Sequence, residues 1–219
     1  MWPSAVPFFH YLTKESNIIQ ELRQRKGDRN QPIRILELGS GTGVLGFSLA
    51  TEPDLQVILT DPGLTLNLTD ADSSPDGSVV QVNTVNLLKE SAGLNKGNIS
   101  VRQLAWGSQP DIRALLKEFP YFDLIVGSEI LYDPFKYPVL FETIKKLSSE
   151  DTQVYICGRK RNLENKFVSA ANDFDFQADD ILPDQSFRSK SLDSADSRQS
   201  RSLNAQFSFV FRLQNKIMK

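Results

Sequence analysis

The sequence has few of the residues that build metal centres and disulfide frameworks, with one cysteine and one histidine among 219 residues. A single thiol, Cys157, excludes a disulfide within the chain and a cysteine-rich zinc site. Because His10 is the only imidazole, neither a histidine-based metal site nor a serine–histidine–aspartate triad is expected. We therefore expect no metal and a reducing compartment, namely the cytoplasm, with the nucleus as an additional alternative.

A basic excess and a long apolar run are also missing. Lys and Arg total 25 against 27 Asp and Glu, so the formal net charge is −2. Without a basic excess a protein cannot rely on neutralising phosphates, so strong nucleic-acid binding is not expected. No apolar run approaches the roughly 20 residues of a membrane helix, and the first residues lack the basic and apolar stretches of a secretory signal. With 40% apolar residues the composition is that of a globular protein, and we expect a monomer without membrane contact.

Short apolar runs alternate with helical patterns along most of the chain. Strands that alternate with helices predict a parallel sheet whose two faces are covered by helices, so the expected fold class is α/β. The predicted strands are 33–38, 55–60, 99–104, 122–127 and 154–157, and the predicted helices are 44–50, 79–92, 112–118 and 135–147.

The chain is expected to form one domain over residues 1–219, in three parts. Residues 1–30 form a helical cap, residues 31–161 the core, and residues 162–219 a C-terminal helix and a strand hairpin. In the cap, apolar residues recur at helical spacing and predict one helix.

Two polar segments interrupt this pattern. Residues 69–78 are rich in Asp, Ser, Pro and Gly and predict a surface insertion. Residues 184–202 hold seven serines among charged residues. They bury too little apolar surface to offset their ordering entropy, which predicts a mobile insertion, with a docking or phosphorylation segment as the alternative. Around it, residues 174–182 and 206–213 predict an antiparallel pair of final strands.

A glycine-rich segment, Glu37-Leu38-Gly39-Ser40-Gly41-Thr42-Gly43, joins the first predicted strand of the core to a helix. Glycines let the backbone turn sharply and approach a ligand closely, and the start of the helix offers unpaired N–H groups. Asp61 follows at the end of the next strand, where a carboxylate can accept both hydroxyls of a ribose. The sequence therefore predicts a nucleoside cofactor.

Two cofactor patterns overlap in this segment. Residues 41–46 satisfy the Gly-x-Gly-x-x-Gly fingerprint of dinucleotide sites, and Asp61 lies 20 residues beyond Gly41. Residues 37–43 instead satisfy the acidic-x-Gly-x-Gly-x-Gly pattern of S-adenosylmethionine (AdoMet) enzymes, in which the acidic residue lies near the methionine end of the cofactor.

A second dehydrogenase feature is a Tyr-x-x-x-Lys pair, Tyr132 and Lys136. Pro134 lies between them and would interrupt the helix that must place both side chains on one face. AdoMet is therefore favoured, and a nicotinamide oxidoreductase is the remoter alternative.

Five stretches then resemble one family, in the order Trp2 to Ala5, Glu37 to Gly43, Asp61, Trp106-Gly107 and Asp123 to Tyr132. Together they are similar to the seven-β-strand protein-lysine methyltransferases of methyltransferase family 16. The resemblance covers about three quarters of the chain. It implies a Rossmann-like class I fold with a mostly parallel seven-stranded sheet, an antiparallel last strand and helices on both faces.

The resemblance also assigns roles to particular residues. Trp2 would close the cofactor site, Asp61 would hold the ribose, Trp106 would lie against the adenine, and Ser128 would border the pocket. The full cofactor set that it implies is Trp2, Glu37, Gly39, Ser40, Gly41, Gly43, Asp61, Trp106 and Ser128.

The family's acidic-x-x-Tyr motif falls on Glu129 and Tyr132, which would line the channel for the target lysine as the catalytic pair. Glu129 is one methylene longer than the Asp that is common there. Family members usually carry a few dozen residues before the Trp-Pro pair, whereas this sequence starts at Met1, so a weakened cofactor lid is expected.

The resemblance implies transfer of a methyl group from AdoMet to a lysine of a non-histone protein, such as a chaperone or a translation factor, with S-adenosylhomocysteine as the product. The reaction needs alignment and exclusion of water, and the lysine must arrive neutral although its free pKa is about 10.4. We therefore expect Glu129 to orient the ammonium and to take or relay its proton, while Tyr132 packs on the methylene stem. The alternatives are the same fold acting on arginine, a small molecule or a nucleic-acid base, or a catalytically weak adaptor.

Overall fold

A computed structural model describes residues 4–27, 31–69, 79–159, 162–181 and 209–215. Trp2 lies outside these residues, as do the predicted Ser-rich insertion and all but the first residue of the predicted insertion at 69–78. Within the described ranges, no helix combines the length and the apolar character needed to cross a bilayer.

Seven strands form one sheet in the spatial order β5-β2-β1-β6-β7-β9-β8. The first five of these are parallel, and β9 runs antiparallel to both of its neighbours. This confirms the expected class I methyltransferase architecture, including the predicted final antiparallel pair. The strands are β1 (Ile33–Leu38), β2 (Leu55–Asp61), β5 (Ile99–Gln103), β6 (Leu124–Ser128), β7 (Gln153–Gly158), β8 (Phe176–Asp180) and β9 (Phe209–Asn215), with β3 (Thr65–Thr69) and β4 (Val79–Asn83) as a separate antiparallel pair.

The sheet separates two apolar cores. The helices are α1 (Ala5–His10), α2 (Ile18–Lys26), α3 (Val44–Leu49), α4 (Thr84–Gly93), α5 (Gln109–Glu118), α6 (Tyr137–Leu147) and α7 (Glu164–Asp173). On β1, Leu36 and Leu38 pack with α5, α6 and α7, whereas Ile33 and Ile35 pack with α1 to α4. Because both faces are covered, the central strands are apolar at nearly every position.

Two predicted helices differ from the structure. The single helix predicted in the cap is divided into α1, a π-helical turn at Tyr11–Glu15, and α2. The helix predicted at 79–92 begins only at Thr84, because the preceding valine-rich residues pair with β3 instead. The side chain of Asn83 accepts the N–H groups of Val85 and Asn86 and so fixes the start of α4.

Candidate active site

The glycine turn and Glu129 lie at the carboxyl edge of the sheet, where the strand order reverses. β1 pairs with β2 on one side and with β6 on the other, with Leu38 opposite Gly127 at the end of the ladder. Ligands of open α/β sheets bind in the crevice at such a switch point. The glycine turn follows β1, and Glu129 follows β6, so both lie at this crevice.

The glycine turn has a backbone that other residues rarely adopt. Gly39, Gly41 and Gly43 have φ values of 64°, 55° and 77°. A Cβ on Gly39 would lie 3.0 Å from Ile130 Cγ2 and 3.4 Å from Trp106 Cζ2, whereas a Cβ on Gly41 would meet no atom within 4 Å. The turn therefore packs against Ile130 and Trp106 at Gly39 and faces open space at Gly41.

Ser40 connects the glycine turn to β2 through hydrogen bonds with Thr60. Its N–H donates to the carbonyl of Thr60 at 2.8 Å, and its hydroxyl accepts the N–H of Thr60 at 3.0 Å. The hydroxyl of Thr60 in turn donates to the carbonyl of Glu37 at 2.6 Å. These contacts give Ser40 a structural role beside its predicted role in cofactor binding.

Asp61, which is predicted to hold the ribose of the cofactor, lies at the end of β2. Its Oδ2 accepts the N–H of Gly41 at 3.1 Å, and its Oδ1 accepts the hydroxyl of Thr84 and, at 3.4 Å, the N–H of Gly63. Since each carboxylate oxygen has two lone pairs, Oδ2 keeps one acceptor position. Asp61 thus links the glycine turn to α4 and can accept one further hydroxyl at Oδ2.

Glu37 is buried behind the turn. Its Oε2 accepts the N–H of Gly46 in α3 at 3.1 Å. Burial raises the pKa of Glu37 to about 8, and the nearby charge of Asp61 adds to this rise, whereas the contacts with Ser40 and Gly46 oppose it. A Cβ on Gly46 would overlap the side chain of Leu59 and lie 2.6 Å from Glu37 Oε2. Close packing therefore explains the third glycine of the dinucleotide pattern.

A cleft at the turn, here called the donor cleft, brings together several predicted cofactor residues, and Ala5 of α1 forms part of its wall. Trp106 packs against Gly39 from the turn after β5, and its Nε1 is buried without a hydrogen-bond partner in the described part of the chain. The residues that line the donor cleft are Ala5, Glu37, Gly39, Ser40, Thr42, Val44, Leu45 and Ser128.

Glu129 is held at both its backbone and its side chain. Its φ is 58°, its N–H donates to the carbonyl of Cys157 at 2.9 Å, and its side chain is only 1% exposed. Oε1 accepts the hydroxyl of Ser4 and forms an ion pair with Arg159 Nε at 3.4 Å. A non-glycine residue held in this backbone conformation by its surroundings is typical of functional sites.

A second cleft, here called the acceptor cleft, lies beside Glu129. It is adjacent to the donor cleft in the chain, because Ser128 lines one and Glu129 lines the other. The residues that line the acceptor cleft are Glu129, Leu131, Gly158, Arg159, Leu163, Glu164 and Phe209.

Tyr132, the second predicted catalytic residue, and Cys157, the single thiol, stand apart from this arrangement. Tyr132 is 56% exposed at the surface, so its contact with a target lysine stays a prediction. Cys157 is fully buried on β7, which raises the pKa of its thiol well above the usual value, and the thiol therefore remains protonated. Cys157 is a packing residue and no nucleophile.

Comparisons with known proteins agree with this fold. The CMeT domain of the citrinin polyketide synthase matches 91% of this chain and 50% of its own at a TM-score of 0.53 and 10% identity. The CurJ carbon methyltransferase matches 90% and 52% at a TM-score of 0.52 and 12% identity. The fold is thus that of the Rossmann-like class I methyltransferases.

Sequence comparisons narrow the class further. A family model described as lysine methyltransferase, methyltransferase family 16, matches residues 1–174. Protein N-lysine methyltransferase METTL21A of Xenopus tropicalis is 29% identical over 164 residues, and that of Danio rerio is 30% identical over 130 residues. These alignments cover 74% and 58% of this chain but only 60% and 50% of the relatives. The chain belongs to the lysine methyltransferase family.

Proposed function

We propose that the protein transfers a methyl group from AdoMet to the lysine side chain of a non-histone protein. The observation that carries this proposal is that two consecutive residues line the two clefts, Ser128 the donor cleft and Glu129 the acceptor cleft. A group transfer needs donor and acceptor to be aligned across one junction. The glycine turn lines the donor cleft, where a cofactor would bind. The buried carboxylate of Glu129 lines the acceptor cleft, where the group that receives the methyl would bind.

Residues beside the donor cleft suit AdoMet. The open space at Gly41 lets the backbone approach a ligand. The buried Nε1 of Trp106, which has no partner among the described residues, is a donor that a bound ligand can satisfy. Asp61 has an acceptor position for a ribose hydroxyl. When bound, AdoMet supplies a methyl group on a positively charged sulfur. Trp2, Glu37, Gly43 and Ser128 remain candidate contacts on the resemblance to the family.

The acceptor cleft fits a lysine side chain. Leu131, Leu163 and Phe209 offer apolar walls for the methylene stem, and Glu129 offers a carboxylate for the ammonium. Glu129 orients the nitrogen and accepts its proton or relays it to water, while the apolar walls exclude competing water. The relatives named protein N-lysine methyltransferase support lysine as the acceptor. We further propose a chaperone or translation factor as the target, a monomeric enzyme, and a location in the cytoplasm and nucleus.

The test is transfer of radiolabelled methyl from AdoMet into fractionated cell extract. We expect one labelled protein band that yields methyl-lysine on hydrolysis and resists the alkaline treatment that removes esters. Glu129→Ala should reduce the label roughly 100-fold or more, as expected for loss of a general base, without changing AdoMet affinity. The matched control is Glu90→Ala, because Glu90 is exposed on α4.

Other outcomes would contradict the proposal. Label in the small-molecule or RNA fraction would indicate another acceptor, and methyl-arginine in the band would indicate arginine. Bound AdoMet without any transfer would indicate an adaptor of this fold. Equal loss of label in Glu129→Ala and Glu90→Ala would remove Glu129 from the chemistry.

A further inference from the structure

Arg159 places a permanent positive charge at the carboxylate of the acceptor cleft. It directly follows β7, its side chain is 46% exposed, and its Nε lies 3.4 Å from Oε1 of Glu129. Both residues line the acceptor cleft. We propose that Arg159 makes the target lysine give up its proton on binding, and this inference rests on the function proposed above.

The reasoning starts from a conflict in the acceptor cleft. A carboxylate attracts the ammonium form of lysine, but only the neutral amine has the lone pair that attacks the methyl group. Glu129 alone would therefore bind the substrate in its unreactive form and raise the pKa of the bound amine. A positive charge beside the same carboxylate has the opposite effect, because like charges disfavour the ammonium. A guanidinium suits this task because it stays protonated at all physiological pH values.

Among the described residues, the other titratable groups around Glu129 include two carboxyl groups and a thiol. Glu164, at the start of α7, adds a second carboxylate to the acceptor cleft. From β7, Cys157 is a neutral thiol, and from β1, the pKa of about 8 keeps Glu37 largely protonated at neutral pH. Within the described residues that line the cleft, Arg159 is thus the cation that opposes the two carboxylates.

The proton balance of the step is simple. The target enters as an ammonium, its N–H bond breaks, and the proton passes through Glu129 to water. The freed lone pair forms the new N–C bond while the S–C bond of the donor breaks and its electron pair stays on sulfur. One proton is released for each methyl group transferred, and Arg159 favours the first of these steps.

The experiment measures how kcat depends on pH, since kcat reports ionisations in the enzyme–substrate complex. The acceptor is the protein that becomes labelled in extract, enriched and used at saturation. Arg159→Gln keeps a hydrogen-bond donor but removes the charge, and should move the midpoint of the rising limb upward by about one pH unit. The KM for the acceptor at neutral pH should not rise, because Glu129 then holds the ammonium more tightly.

Two control variants and one binding measurement make the result specific to the charge of Arg159. Arg159→Lys keeps the charge and should restore the midpoint found for the unsubstituted protein. Arg113→Gln removes a charge from an exposed position on α5 and should leave the profile unchanged. AdoMet affinity, measured calorimetrically without acceptor, should be the same for all variants.

Two results would overturn the inference while the proposed function stands. One is an Arg159→Gln profile that superimposes on that of the unsubstituted protein. The other is an equal displacement in Arg159→Lys and Arg159→Gln, which would assign Arg159 a shape-dependent role. Absence of any labelled protein band would instead refute the proposed function, and the inference with it.

Discussion

The carboxylate of Glu129 is fixed by contacts on both its backbone and its side chain. The last torsion of a glutamate side chain has a broad energy minimum, so such a carboxylate is oriented only if its neighbours hold it. Ser4 and Arg159 approach the same oxygen, Oε1, from two distant parts of the chain. Because Ser4 is completely buried beside Ala5 of the donor cleft, the first residues of the cap connect the two clefts.

We expect Ser4→Ala to lower kcat for methyl transfer roughly 10-fold, which corresponds to about 1.4 kcal/mol in the activation free energy. The reason is that Oε1 loses a hydrogen bond that holds the carboxylate toward the substrate. The affinity for AdoMet should change less than about twofold, since a hydroxyl is removed without altering the wall formed by Ala5. Initial rates and calorimetric AdoMet binding measure the two effects separately.

Ser16→Ala is the matched control for this variant. The hydroxyl of Ser16 is also buried in the cap, but it has no hydrogen-bond partner among the residues that the structure describes. Its removal should leave the rate unchanged. Equal losses in both variants, or a parallel loss of AdoMet affinity in Ser4→Ala, would mean that Ser4 only stabilises the cap.

The position of Glu129 could be predicted from the sequence, but its contact with Ser4 could not. Its position after β6 was predictable, because a buried apolar strand is recognisable from its residues. Its partner Ser4 lies 125 positions away, and nothing in the local pattern connects them. The position of Arg159 near the site was predictable, because the residue after a parallel strand lies at the same edge of the sheet as the glycine turn.

At the scale of elements, α3 packs unusually closely on the sheet. Gly46 presents its bare backbone to Leu59 of β2 and donates its N–H to Glu37 of β1. This contact sets the position of the helix behind the glycine turn. The donor cleft therefore depends on Gly46, although Gly46 is not among the residues that line it.

Gly46→Ala should reduce the free energy of unfolding by about 1–3 kcal/mol, because the added methyl group overlaps Leu59 and approaches Glu37. The better helix propensity of alanine, about 1 kcal/mol, is too small to offset this overlap. Denaturant unfolding measures the change.

The same substitution in α4 is its control. A Cβ on Gly93 would meet no atom within 4 Å, and Gly93 has no left-handed backbone. Gly93→Ala should therefore leave stability unchanged or raise it by up to about 1 kcal/mol. A destabilisation of the same size at both positions would show that overpacking at Leu59 is not the cause.

Element boundaries followed from sequence where one pattern dominated. β1 begins and ends where the apolar run does, because Pro32 precedes it and the glycine turn follows it. The sequence predicts a helix for the residues of β4, since the valines and polar residues in this stretch fit the period of either element. Pairing with β3 makes this stretch a strand, and such pairing cannot be recognised from the local sequence.

For the whole molecule, the buried carboxyl of Glu37 couples stability to pH. Its pKa of about 8 in the folded protein exceeds the ordinary value of 4.5. Between these values the folded state binds more protons than the unfolded state, so the free energy of unfolding falls as the pH rises. The stability that Glu37 contributes is thus fully present below pH 4.5 and is lost as the pH passes 8.

Glu37→Gln should flatten this dependence, since the amide cannot titrate but can still accept the N–H of Gly46. We expect unfolding free energies at pH 5 to 8 to fall with a steeper slope in the unsubstituted protein, the difference being at most about 1.4 kcal/mol per pH unit for one proton. Comparing slopes cancels the contribution of every other titrating group. Parallel slopes would mean that Glu37 binds no more protons in the folded state than in the unfolded state, so its pKa would not be raised by burial. Because Glu37 lines the donor cleft, an ionised Glu37 would also add a negative charge to the site of a cationic cofactor.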